Sequence, residues 1–283
     1  MKKTFLTTTS LAMCLALFSP IHAKPSKHKF TISFTGSSYQ YYEPMKDRPN
    51  NGMSMKGSMF GGGLQYAYSP IDQWFLVKVN TRLTGGKFIY RGHTQVTLSP
   101  AMIKDISHML SESRILVGAK FNLFENLSTE FLTGFGYRFK SDNKLNVADS
   151  KRKSHYMYMP FIMNNTYRVS DRFSISTELE FDYFLSGTQY TYPTKSLNAL
   201  NQLLEGKDLK PCKNKQKKGY GLKATLMFNK LKEGEEEYSF GPYIDYWHVN
   251  KSRPAMIIPR LSIEGVEPKN HTVEYGLKLS IHF

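Results

Sequence analysis

From Val273 onward every second residue is apolar: Val273, Tyr275, Leu277, Leu279, Ile281 and Phe283 alternate with Glu274, Gly276, Lys278, Ser280 and His282. Successive side chains of a strand point to opposite faces, so this stretch has one apolar and one polar side. In water, such a strand lays its apolar side on a core. In an outer-membrane barrel the polarity is inverted, apolar toward lipid and polar toward a lumen. The remaining sequence decides between the two.

The N-terminal segment predicts export. Lys2 and Lys3 precede an apolar run from Leu11 to Phe18, and Ala23 offers a cleavage point, so 1–23 reads as a signal peptide and 24–283 as the folded domain. The apolar core is about half of the ~20 residues that a spanning helix needs. Lysine and arginine total 38 against 23 acidic residues, an excess of 15 that falls to 13 once Lys2 and Lys3 are removed. Beyond the signal, Cys212 is the sole cysteine, so no internal disulfide staples the domain. No later run of 18 apolar residues suggests a helical span.

Alternating runs recur through the whole domain. They begin with Phe30 to Glu43, pass through Phe173 to Leu185, and end with the closing stretch, ten in all. Short links fall near 69–72, 124–127, 169–172 and 230–236; long ones fall near 44–52, 91–112, 141–153, 187–218 and 250–270. Short turns at one end, long loops at the other and an even strand count describe a bacterial barrel. A soluble sandwich has no reason to segregate its long loops. The expected fold is therefore all-β: a ten-stranded antiparallel transmembrane β-barrel with short periplasmic turns and long external loops. Ten strands ~4.8 Å apart and tilted ~40° close to a backbone radius of about 10 Å, which side chains largely fill.

The polar faces predict an ordered lumen. Lys78, Arg82, Arg114, Lys120, Arg138 and Lys140 come from the third to fifth runs, and Glu178, Glu180, Asp182, Asp245 and Glu274 from later ones across the barrel. Unpaired charge in a narrow lumen is costly, so the two sets are expected to pair. Lys223 and Lys278 are basic members of the acidic side. Such a lumen is a satisfied polar core, or else a gated, weakly conducting pore or a small-ligand site.

Catalytic patterns are sparse. No His-x-Ser pairing occurs, and Asp245 and His248 lie three apart, which strand alternation aims at opposite faces. No two histidines sit at i, i+2 or i, i+4, and a second cysteine is missing, so no metal or other cofactor is expected. The external links are basic instead. Lys151, Arg152 and Lys153 in one, and Lys213, Lys215, Lys217 and Lys218 in another, suit an anionic partner such as lipopolysaccharide phosphate. Nucleic acid is a poor partner for an exported chain. Two links have helical spacing: Ser99-Pro100 followed by Met102, Ile103, Ile106, Met109 and Leu110, and Ser196 followed by Leu197, Leu200, Leu203 and Leu204 up to Gly206. Both are expected to fold over the barrel mouth as lids, with binding of a partner as the alternative.

The segments Tyr42-Glu43-Pro44-Met45, Ser113-Arg-Ile-Leu-Val-Gly118, Thr133-Gly-Phe-Gly-Tyr-Arg138, Leu179-Glu-Phe-Asp-Tyr183, Lys218-Gly-Tyr-Gly-Leu222, Pro242-Tyr-Ile-Asp-Tyr-Trp247 and Glu267-Pro-Lys-Asn270 resemble, in that order, a family of porin-like outer-membrane β-barrel proteins of proteobacteria. The resemblance implies a Gram-negative outer-membrane address and the same fold, without an activity. Tyr275, Leu277, Leu279, Ile281 and Phe283 are similar to the signal read by the barrel-assembly machinery. The functional expectation is an envelope or surface protein with weak solute passage at most. A lipid- or peptide-processing barrel enzyme, lipase-like or similar to the omptin proteases, is the alternative.

Overall fold

A computed structural model of the chain describes residues 28–44, 52–70, 74–93, 100–143, 151–193, 195–258 and 263–283; the expected signal peptide lies outside them. The strands are β1 (His28–Glu43), β2 (Met53–Tyr68), β3 (Phe75–His93), β4 (Pro100–Phe124), β5 (Leu127–Asn143), β6 (Lys151–Ser170) and β7 (Phe173–Thr191). After a helix, α1 (Lys195–Glu205), come β8 (Cys212–Gln216), β9 (Gly219–Lys232), β10 (Glu235–Val249), β11 (Ala255–Ile258), β12 (Ile263–Gly265) and β13 (Asn270–His282).

Neighbours in the main sheet run β6-β5-β4-β3-β2-β1-β13-β10-β9-β7, and the pairing of β6 with β7 closes the ring. The wall therefore has ten strands, with β1 and β13 as the seam from Thr31↔His282 to Tyr42↔His271. β8 adds no wall position: it continues the line of β9 along the upper part of β7. Closure satisfies every edge, which is what lets a sheet sit in lipid.

The alternation resolves as expected. Phe34, Phe60, Leu83, Ile115, Phe135, Leu179 and Phe240 point outward and are exposed. So are Tyr275, Leu277, Leu279 and Phe283, while Glu274 and Ser280 between them are buried in the lumen. At the end with the short connections, Trp74, Phe124 and Phe283 stand 65–72% exposed and form part of an aromatic rim. The two-residue turn between β9 and β10 uses Glu233 and Gly234 at φ 53° and 84°, the left-handed pair of a type I′ hairpin.

Two expectations about the links are corrected. The 91–112 region is not a long loop with a helix: β3 and β4 continue as a paired hairpin, His93↔Pro100 being the outermost pair. The apparent helical spacing comes from a bulge. Register shifts between Phe88 and Tyr90, opposite Ile106 and Ile103, and Asp105 takes φ 60°. One extra residue flips the strand's phase, so Ile103, Ile106 and Leu110 all turn inward at an i, i+3, i+7 spacing that reads as helical. The second helix forms as α1, ended by Gly206 at φ 66°. Its Leu203 is 86% exposed, so that leucine does not cover the mouth.

The outward face of β13 gives a direct check. Replacing Leu279 by Lys should lower barrel stability by about 2 kcal/mol, because a charge is placed against hydrocarbon. Leu279→Phe should leave it unchanged. Denaturant midpoints of the heat-modifiable folded band in lipid vesicles measure both.

Candidate functional site

The register builds two charged rows inside the wall. Arg82 (β3), Glu112 (β4) and Arg138 (β5) are consecutive cross-strand partners. On the opposite arc Glu180 (β7), Lys223 (β9), Asp245 (β10), Glu274 (β13) and Tyr39 (β1) are partners in the same way. Within a row, signs largely alternate. Between the rows, guanidinium groups cross the lumen: Arg82 Nη1 lies 3.2 Å from Glu274 Oε1, its Nη2 3.2 Å from Asp245, and Arg138 Nη1 donates to Asp245 Oδ2 at 2.8 Å.

Glu112 is the hub. It accepts from Tyr158 Oη at 2.6 Å and Lys223 Nζ at 3.0 Å, with Arg82 and Arg138 each 3.6 Å away. Lys223 also holds Glu180 at 2.9 Å and Asp182 at 3.2 Å, and Arg114 pairs with Glu180. Trp247 completes the plane, its ring 4.9 Å from the Arg138 guanidinium and edge-on to Tyr158. Arg138, Asp245 and Glu274 are only 1–2% exposed.

Nearer the external end lies a second cluster. His108 and Asp142 are cross-strand partners joined at 2.5 Å, and Arg152, the partner of Asp142 on β6, donates to its other oxygen at 3.0 Å. Arg152 also reaches Glu43 at 3.3 Å and Glu267 at 3.2 Å, and Tyr41 donates its hydroxyl to Glu43 and, at 3.2 Å, to Glu267. Glu267 belongs to no strand. It enters from the external segment after β12, whose backbone is pinned by Ser252 N to Glu267 O at 2.9 Å and Asn214 Nδ2 to Gly265 O at 2.9 Å. Burial pushes the Glu267 carboxyl up to about 7, against the lowering pull of Arg152, with neighbouring Glu43 adding to the rise. At the opposite, short-turn end Lys78 pairs with Glu130 at 2.6 Å and Lys29 with Glu236 at 2.5 Å.

The expected lumen cluster is thus present, with three adjustments. Lys120 is exposed near the short-turn end, beside Glu130, and takes no part in the buried rows. Lys140 is buried but faces rings, with Nζ 5.3 Å from the centre of Tyr41 and 5.1 Å from Tyr156. Glu178 is half-buried on the lumen side, next to Asn164, outside the two rows. Reasoning from sequence missed Glu112, His108 and Asp142 because they sat in stretches read as loops. The inward alternation of 106, 108, 110, 112 and 114 was the available signal.

Arg152 is corrected outright. At 7% exposure, inside the lumen, it cannot serve an external anion. Its neighbours do face outward. Lys153, Tyr190 and Lys213 are consecutive partners on β6, β7 and β8, and Lys153 and Lys213 lie over Tyr192 and Tyr190. Lys151, Lys215, Lys217 and Lys218 are exposed alongside. Among the described residues, no group of three His, Cys, Asp or Glu side chains could hold a metal.

No protein-family model and no curated protein matches the sequence. Solved structures do. The outer-membrane protease OmpT of Escherichia coli superposes with a TM-score of 0.57 over 93% of this chain and 99% of its own, at 7% identity. The transport unit of the autotransporter AIDA-I from Escherichia coli (TM-score 0.44, 10% identity, 97% of each chain) and a major outer membrane protein from Thermus thermophilus (0.41, 12%, 93% of this chain and 100% of that one) are more distant. The chain has the fold of an outer-membrane β-barrel. At such identity the likeness carries fold alone.

The central rows predict a large asymmetry on mutation. Arg138→Met strands Asp245 and Glu112 without one of their cations and should cost about 3–5 kcal/mol. Adding Asp245→Asn to that variant should restore a good part of it. Guanidinium unfolding in detergent micelles, followed as a double-mutant cycle, reads the coupling.

Proposed function

We propose that this barrel is a closed, non-conducting envelope protein whose working face is its external end. The observation that supports a closed lumen is the crossed pairing of half-buried Arg82 with Asp245 and Glu274 and of Arg138 with Asp245, with Asp245, Glu274 and Arg138 at nearly zero exposure. Opening a path would separate several buried ion pairs at once, each leaving an uncompensated charge. In planar lipid bilayers the purified protein should show no discrete conductance steps at moderate voltage. Regular steps of one amplitude would overturn the closed-lumen reading.

The partner favoured by chemistry is the phosphate-bearing headgroup layer of lipopolysaccharide. The outward row of Lys153 and Lys213, joined by Lys151 and Lys215, gathers positive charge on one patch of wall above the apolar belt. Their aromatic neighbours Tyr190 and Tyr192 suit an interface where apolar and polar layers meet. Lys153→Glu, Lys213→Glu and Lys215→Glu combined should weaken lipopolysaccharide retention by at least about tenfold, with less effect at high salt. Quantifying lipopolysaccharide that co-purifies with each variant measures this. The His108–Asp142 pair is sealed in the wall, so it lends no support to an enzyme reading.

A further inference from the structure

We propose that His248 and His271 form a two-imidazole binding site for a borderline divalent metal ion, zinc or copper(II), on the outer rim of the barrel. The two residues are direct cross-strand partners on β10 and β13, one pair short of the end of that ladder. Both belong to the outward face, since Asp245 and Trp247 on β10 and Thr272 and Glu274 on β13 are the buried, lumen-facing positions. Their Nδ1 atoms lie 3.1 Å apart and their rings 4.6 Å apart. Two metal–nitrogen bonds of about 2.0–2.1 Å drawn to atoms at that separation subtend an angle of roughly 95–100°, between the octahedral and tetrahedral values. The nitrogens already stand where a metal would hold them.

Their surroundings orient the lone pairs correctly. His248 Nε2 meets Asn250 Oδ1 at 2.8 Å. An amide oxygen only accepts, so in the neutral ring the proton sits on Nε2 and Nδ1 is left with its lone pair, facing His271. This is the outer hydrogen bond that metal-ligating histidines characteristically make. The Tyr246 hydroxyl lies 2.7 Å from His271 Nδ1, which places a phenol oxygen within reach of the pair. At most one proton occupies the space between the two Nδ1 atoms. When a metal replaces it, His271 keeps its neutral state by carrying its proton on Nε2.

Ring packing restricts movement of the pair: Tyr220 lies 5.4 Å from His248, and Tyr246 stacks on His271 at 6.1 Å. Both histidines are only half-buried, so the remaining coordination positions open outward to water or to an oxygen donor from the headgroup layer. Imidazole nitrogen selects zinc, copper and nickel over magnesium and calcium, which prefer all-oxygen shells. Lys269, two residues before His271, opposes cation binding through its charge, so affinity in the micromolar rather than the nanomolar range is expected. The site is invisible to spacing rules because its ligands are 23 residues apart and meet only through the sheet register.

Untagged, chelator-treated protein folded in detergent should take up one equivalent of Zn²⁺ by calorimetric titration at neutral pH. It should take up none of Mg²⁺ or Ca²⁺. Uptake should be lost in His248→Ala and in His271→Ala, weakened about tenfold in Asn250→Ala, and unchanged in His155→Ala. Heat-modifiable migration establishes that each variant is folded, and His248→Gln provides a less disruptive second test. With Cu²⁺, electron paramagnetic resonance should show two imidazole nitrogens in the wild type and no stoichiometric imidazole-bound copper signal in either single variant. No stoichiometric uptake by the wild type, or uptake that survives loss of either histidine, would overturn the proposal.

Discussion

Everything in this barrel depends on charge that is buried and matched. The lumen is too narrow to keep Arg138, Glu112, Asp245 and Glu274 hydrated, so each must find its counter-charge across the barrel or not ionise at all. The register meets that demand by setting Arg82, Glu112 and Arg138 on one arc and Glu180, Lys223, Asp245 and Glu274 on the other. A slip of one residue in any of these strands would turn charges outward to lipid and apolar side chains inward. Lipid outside and ion pairing inside therefore enforce the same register. A hydrophobic core in a soluble domain has no comparable double constraint.

Much of this was legible from alternation. Strand count, closure and the inward set Arg82, Arg114, Arg138, Glu180, Asp182, Asp245 and Glu274 follow from a period of two, because lipid leaves each wall residue only two environments. The failures occur where that period breaks. The bulge near Asp105 shifts phase by one residue and disguises a strand as a helix, which removed Glu112 and His108 from view. Arg152 was misplaced for a related reason. Its basic neighbours Lys151 and Lys153 made a charged run, and a run conceals that alternate members face opposite ways. Once β6 is extended to Lys151, alternation alone sends Arg152 inward.

The external segment could not be read this way at all. Nothing in 250–269 announces that Glu267 returns into the mouth, because its reason is tertiary: Arg152 on β6 and Tyr41 on β1 supply the partners from two distant places in the chain. Likewise the contact between His248 and His271 exists only because β10 and β13 are neighbours in a ring. Long-range register, unlike face, leaves no local trace.

The anchoring of Glu267 has a consequence for how the cell surface looks from outside. With its carboxyl held in the mouth and its backbone tied to Ser252, Glu267 anchors the segment that carries exposed Arg253, Pro254 and Met256. An antibody or phage tip that recognises it would meet a segment already tied to the barrel at Glu267, with less ordering left to do on binding. Escape by substitution would be restricted too: variation on the exposed side is free, but a change at Glu267, Arg152 or Tyr41 disturbs the buried cluster beneath. Diversity under immune selection should therefore collect at outward positions of this segment and skip the residues that hold it down.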